Sequence, residues 1–174
     1  MVAAATMTAL IVHPSRPEPA SPAERPADDL DLEDYERTEI PHVPLTLEDG
    51  SVVSLREFAG SRPKLILAVS QTCSSCLPTI EAAPQWRERL PEVDVHLLYA
   101  SAHDPATSSP SGPQTLYDPQ RFVYEALRFR GTPSAVLLGA DGMLAGGPVA
   151  GHDDISTFVA DVEAELAGAR LLPR

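Results

Sequence analysis

The chain has 174 residues, with 13 Lys and Arg against 25 Asp and Glu, a formal net charge of -12, and 43% hydrophobic residues. That length and composition suit one globular domain plus a tail, and the lack of a Lys/Arg cluster excludes a protein that grips phosphate backbones, so no nucleic-acid partner is expected. Only two cysteines are present, which excludes a scaffold stapled by several disulfides and a zinc site built from four thiolates.

Met1 to Val12 is apolar but lacks a basic start and a small-residue cleavage site, and it is shorter than the ~20 residues a bilayer span requires. As written, the segment points to a cytoplasmic chain; as the remnant of a longer apolar segment it would place the domain in the cell envelope. Prolines 14, 17, 19, 22, 26, 41 and 44 then alternate with Ser, Ala and an acidic run from Asp28 to Glu39. Such a composition buries too little apolar surface to offset its ordering entropy. Residues 1–40 are therefore expected to form a disordered or extended tail, a linker in preference to a partner-binding arm, and residues 41–174 the domain.

Val43 to Leu47, the turn Glu48-Asp49-Gly50 and Ser51 to Leu55 read as a small hairpin. A short helix over Leu55 to Ala59 should stop at Gly60, and Lys64 to Val69 is a nearly continuous apolar run, as in strands buried on both faces. Cys73-Ser74-Ser75-Cys76 follows directly and opens a helical stretch towards Leu90. A second buried strand covers Val93 to Ala100, before a Ser, Pro and Gly-rich loop from Ser101 to Pro113. Asp118-Pro119 predicts a capped helix start, with Phe122, Val123, Ala126 and Leu127 on its apolar face and Gly131 as its stop. Ser134 to Gly139 reads as a strand, Asp141-Gly142 as a tight turn, and Met143 onward as the hairpin partner. The last helix shows Ile155, Phe158, Val159, Val162 and Leu166 at helical spacing, with Asp153 and Asp154 in its first turn. Strands alternating with helices imply an α/β fold, a central mixed sheet flanked by helices.

A C-x-x-C at a strand-to-helix junction has a physical consequence. The first cysteine meets free backbone N–H groups and the positive end of the helix dipole, which stabilise its thiolate. The second, one turn on, is close enough to close the ring and is more buried. Ser74 and Ser75 offer hydroxyls without adding charge. Two buried packing cysteines are the plainer alternative, but the chain's only pair stands at this spacing straight after an apolar strand, and that favours a redox centre. Pro133 opens a buried strand, where it cannot donate to the ladder; a cis Thr132-Pro133 bond and a trans proline that merely starts the strand both fit.

Leu65 to Cys76, then Gly131-Thr132-Pro133-Ser134-Ala135-Val136-Leu137-Leu138 and Ala140-Asp141-Gly142, resemble the thioredoxin-like superfamily. Within it the chain is most similar to TlpA/ResA-type disulfide reductases and the related MauD-like proteins, including the leading hairpin Leu47 to Leu55. The resemblance spans about residues 41 to 168. It implies a thioredoxin-like fold with an N-terminal β-hairpin extension, Cys73 as nucleophile, Cys76 as resolving thiol, and a cis Thr132-Pro133 whose backbone pairs with the substrate chain. It also implies a protein disulfide or dithiol substrate, an upstream thiol reductant, and no cofactor or metal beyond the Cys73-Cys76 disulfide itself. The chain departs from the family at Thr72, where Trp usually precedes the first cysteine, in Lys64 to Val69, which holds no acid to relay the resolving thiol's proton, and at Glu81, where a kink proline is usual and Pro78 and Pro84 stand on either side.

Trp86 reads as a packing residue, His96 as a hydrogen-bonded structural histidine, and Glu81 as a solvated acid of the helix face. His13, His42, His103 and His152 form no i, i+4 ligand pair. Two other functions use related features. A peroxiredoxin-like thiol peroxidase needs Thr three residues before its cysteine, but Ser70 and Cys73 occupy those positions. A Cu(I)-binding chaperone module would recruit Met143 or His152 beside the thiolates.

Overall fold

Residues 37–101 and 114–171 are described by the computed structural model. Their elements are β1 (Pro44–Thr46), β2 (Val52–Ser54), α1 (Leu55–Ala59), β3 (Lys64–Val69), α2 (Leu77–Arg89), β4 (Asp94–Tyr99), β5 (Thr115–Tyr117), α3 (Phe122–Ala126), β6 (Ser134–Leu138), β7 (Leu144–Ala150) and α4 (His152–Leu171). The strands form one seven-stranded sheet in the order β2-β1-β5-β4-β3-β6-β7. β3, β4 and β5 run parallel, while β1, β2, β6 and β7 join antiparallel to their neighbours.

The unbroken apolar run of β3 is explained by its central place, because alternate side chains enter two different cores. Leu65, Leu67 and Val69 pack with Cys76, Ala83 and Trp86 of the α2 side and with Ile155, Val159 and Val162 of α4. Ile66 and Ala68 face the opposite layer, with Leu55 and Ala59 of α1, Val123 of α3 and Leu127 just after it. The β6–β7 hairpin is drawn tight at Gly147, whose φ of +86° and 2.7 Å approach of its would-be Cβ to the Ala135 carbonyl admit only glycine. No helix among the described residues is long and apolar enough to cross a membrane.

Three expectations are corrected. β5 is a strand where none was expected; its three residues are all buried, and Leu97 and Tyr99 of β4 register with Thr115 and Tyr117. α3 does not begin at Pro119 and is not stopped by Gly131. Asp118 does cap it, its Oδ2 accepting from the Tyr124 N–H at 2.8 Å, but the chain first passes through Arg121 in a left-handed conformation. Phe122 thereby falls at the helix's first position and is 45% exposed instead of buried. Finally, a domain boundary after residue 40 cuts into the core: Ile40 is fully buried among the α1 and α3 contacts, Glu39 bridges to Met143, and Arg37 reaches the Asp141 carboxylate. The expected disorder of the tail before residue 37, and most of the Ser101 to Pro113 loop, lie outside the described residues.

Candidate active site

β3 delivers the chain to the motif at its C-terminal end. Ser70 caps the turn that follows, its carbonyl accepting from the Cys73 N–H at 3.4 Å and its hydroxyl lying 3.1 Å from that of Thr72. Cys73 is still extended, with φ -97° and ψ 110°, and Ser74–Cys76 make one 3-10 turn before α2 begins. The Cys76 N–H donates to the Cys73 carbonyl at 3.0 Å. Pro78 sits in the first turn of α2, where no N–H partner is needed, and Pro84 interrupts the ladder further on.

The two thiols, both unbridged, have opposite surroundings. Cys76 is 0% exposed, and burial, followed by its hydrogen bond with Cys73, pushes its pKa up. Cys73 is half-buried. Its pKa is held down to about 7, first by the hydrogen bond with the Cys76 thiol and next by that with Ser75, whose Oγ lies 3.0 Å from Sγ. The contact between the thiols favours charge on Cys73 and a proton on Cys76, and the Ser75 hydroxyl adds to the first of these. Of the two spacer serines, it is Ser75 whose hydroxyl reaches sulfur.

Across 59 residues of chain, the Thr132 carbonyl comes within 3.6 Å of the Cys73 sulfur. The Thr132–Pro133 bond is cis, as is Gly147–Pro148. The turn before β6 is held by Ser134, whose hydroxyl donates to the Gly131 carbonyl at 2.7 Å, and by the Gly151 N–H on the Pro133 carbonyl at 2.9 Å. The residues singled out in the sequence, Cys73, Cys76, Thr132 and Pro133, thus meet at the end of the sheet where β3 finishes and β6 begins.

Among the other residues, Trp86 is buried and stacks on His152 with ring centroids 6.2 Å apart. His152 Nδ1 lies 3.1 Å from the Thr79 hydroxyl, so that histidine is engaged with α2. Met143 follows the opposite end of β6: Ser134 registers with Ala68 and Leu138 with Lys64, so the Asp141-Gly142 turn lies a strand's length from the motif. Met143 is therefore not held at the thiols and His152 Nδ1 is engaged by Thr79, and among the described residues no group of three His, Cys, Asp or Glu is placed to hold a metal. Glu81 is exposed on α2. His96 is structural but poorly satisfied: neither ring nitrogen makes a well-aligned hydrogen bond among the described residues, the Gln114 backbone gives it only a weak polar contact, and the ring meets Phe58 edge-on at 4.9 Å. Missed altogether in the sequence was a cavity of about 280 Å³ beside the site, running from Ser70 and Thr132 to Asp118, Arg121 and Tyr124.

Comparison with known protein families finds no match for this chain. No curated protein matches it either. Solved structures do. A Chlorobium tepidum protein assigned as the thiol:disulfide interchange protein DsbE aligns with a TM-score of 0.59 at 15% identity, covering 75% of this chain and 96% of its own. A secreted Mycobacterium tuberculosis disulfide oxidoreductase homologous to DsbE gives 0.52 at 19% identity, over 69% and 96%. The exposed lipoprotein thioredoxin Etrx1 of Streptococcus pneumoniae gives 0.51 at 16% identity, over 68% and 98%. What these likenesses share with the chain is its architecture, and the chain accordingly has the thioredoxin-like fold, with a C-x-x-C pair where its first buried strand meets a helix.

Proposed function

We propose that the chain is a thiol–disulfide oxidoreductase acting on a protein substrate, with Cys73 as nucleophile, Cys76 as resolving thiol and Thr132-Pro133 as the segment that receives the substrate chain. The observation that carries this reading is the asymmetry of the pair: a half-buried Cys73 held to about 7 beside a fully buried Cys76 that is pushed up. Near neutral pH the accessible sulfur is then substantially thiolate, the form that attacks disulfides.

In the reducing direction, the Cys73 thiolate bonds to one substrate sulfur as the substrate S–S bond breaks, and the departing sulfur takes up a proton. Cys76 gives up its proton and attacks Cys73, which releases the second substrate thiol. Two electrons have passed to the substrate, and Cys73 and Cys76 are joined. An upstream dithiol restores them by the same exchange, and the reverse sequence oxidises a substrate dithiol.

Cys73→Ser should abolish reaction with a disulfide peptide. Cys76→Ser should still attack and stall as a mixed disulfide that dithiothreitol dissolves. Iodoacetamide labelling of the reduced protein should show a fast thiol with a midpoint near 7, lost in Cys73→Ser. Retained activity in Cys73→Ser, or fast labelling at Cys76, would refute the assignment.

A further inference from the structure

The chain is acidic overall, with a net charge of -12, and the basic side chains among its described residues are nearly all committed. Arg37 pairs with Asp141, Arg56 with Glu39, Arg62 and Lys64 with Asp94, Arg89 with Glu163, and Arg170 with Glu92. Arg87 is partly buried and donates to the Val95 carbonyl. That leaves Arg121, Arg128 and Arg130. All three are exposed, and within the described residues none has a carboxylate in ion-pair range, Glu125 on the same stretch included.

These three fall in a single ten-residue stretch, the one that leads into Thr132-Pro133. The Arg121 guanidinium lies over the Tyr124 ring, its Cζ 3.9 Å from the centroid, at the cavity that reaches Ser70 and Thr132. Stacking of this kind orders a guanidinium while leaving its N–H edge free to donate. Arg128 and Arg130 line a second cavity of about 390 Å³ that ends on Ser134 and Pro148. Both cavities thus abut the Gly131 to Ser134 segment, whose Thr132 carbonyl touches Cys73. Arg121 and Arg128 also hold φ of 61° and 57°, a left-handed region where glycine or asparagine is the easier residue. At Arg128 that conformation ends α3, with the Arg128 N–H on the Glu125 carbonyl and the Phe129 N–H on that of Tyr124.

We infer that Arg121, Arg128 and Arg130 form a docking surface for Asp or Glu side chains flanking the reactive cysteine of the protein substrate. The inference rests on the oxidoreductase reading proposed above. An acidic segment is repelled by the net charge of the body and attracted only where cations remain unpaired, so the arginines orient the substrate with its disulfide towards Cys73. Asp118 also lines the first cavity, where it is buried and its Oδ2 accepts from the Tyr124 N–H. Among the described residues no carboxylate pairs with Arg121, Arg128 or Arg130.

Two cyclic disulfide peptides, identical except for Glu or Gln at the two residues beside each cysteine, test this. The full-length protein, reduced and freed of dithiothreitol, is mixed with each, and the second-order rate constant is read from the peptide thiols released. At 20 mM ionic strength the Glu peptide should react about fivefold or more faster, within the range of electrostatic steering. At 0.5 M NaCl, where screening acts within a few ångströms, the ratio should fall to about one. Arg128→Gln/Arg130→Gln and Arg121→Gln should each lower the ratio, the matching Lys variants should keep most of it, and Arg62→Gln, at the other end of β3, should leave it intact. Equal rates for the two peptides in the wild-type protein at low salt, or a ratio unaffected by both Gln variants, would overturn the docking surface alone. No reaction with either peptide would overturn the oxidoreductase reading and the surface with it.

Discussion

His96 offers a measurement of what a poorly hydrogen-bonded, buried polar group does inside this fold. Its ring is 8% exposed, neither nitrogen makes a well-aligned hydrogen bond among the described residues, and burial, with Lys64 adding like charge against a weak contact with the Gln114 backbone, lowers its pKa from 6.5 to about 4. The unfolded chain therefore binds a proton that the folded chain refuses between these two values, so stability falls as pH drops from about 6.5 towards 4. Over the window from pH 7.5 to 5.5, above the range in which carboxylates titrate, the loss from this one group is about 1.3 kcal/mol. His96→Leu should remove that slope. It should also raise stability at pH 7.5 by about 1 kcal/mol, the cost of the poorly hydrogen-bonded nitrogens less the edge-on contact with Phe58. The assay is urea unfolding of both proteins at pH 7.5 and 5.5, where the wild-type midpoint should fall by roughly 0.5–1 M more than that of the variant. Parallel declines in the two proteins would refute the reasoning, because they would mean that the folded protein protonates His96 as readily as water does.

Further outcomes follow from single contacts. Removal of residues 1–36 should leave a folded domain, whereas removal through Ile40 should lower the thermal midpoint, since Ile40 fills the α1–α3 core; Ile40→Ala in the full chain should cost about 2–5 kcal/mol in urea unfolding. Asp118→Ala, which strips the buried acceptor from the Tyr124 N–H, should cost about 1–3 kcal/mol, and Asp118→Asn less, by the same measurement. Gly147→Ala brings a methyl to 2.7 Å from the Ala135 carbonyl at a positive φ and should destabilise by more than about 1 kcal/mol, whereas Gly168→Ala, with open space around it, should be neutral or slightly stabilising.

Most of the sheet was legible because its strands carry their own signals. β3 reads as doubly buried from six residues, and α4 from Ile155, Phe158, Val159 and Val162 at helical spacing, all of which pack on the first core. What escaped was short or isolated. β5 offers only Thr115, Leu116 and Tyr117, too few to show a period of two, beside a turn signal at Asp118. Ile40 is one apolar residue between Glu39 and Pro41, and nothing local distinguishes it from the tail; its burial is decided by α1 and α3. The start of α3 was misplaced because Asp118 caps the helix from across a turn instead of from the residue next to it, and the left-handed Arg121 carries no propensity cue.

At the site, legibility follows the range of the interaction. The Cys73–Cys76 spacing is a local fact, so the pair and the greater burial of the second sulfur could be read before any tertiary contact was known. The meeting of Cys73 with Thr132 spans 59 residues and was reachable only through resemblance. The unpaired arginines lie further still from what a sequence displays. Arg37 finds Asp141 across 104 residues and Arg89 finds Glu163 across 74, so which cations are neutralised is settled by the closure of the fold and not by neighbours in the chain. A total charge of -12 gives the sign of the surface as a whole. Ion pairs and, for Arg87, a backbone carbonyl engage the other described cations, and the proposed docking surface rests on what is left over, Arg121, Arg128 and Arg130, opposite in sign to the chain that carries them.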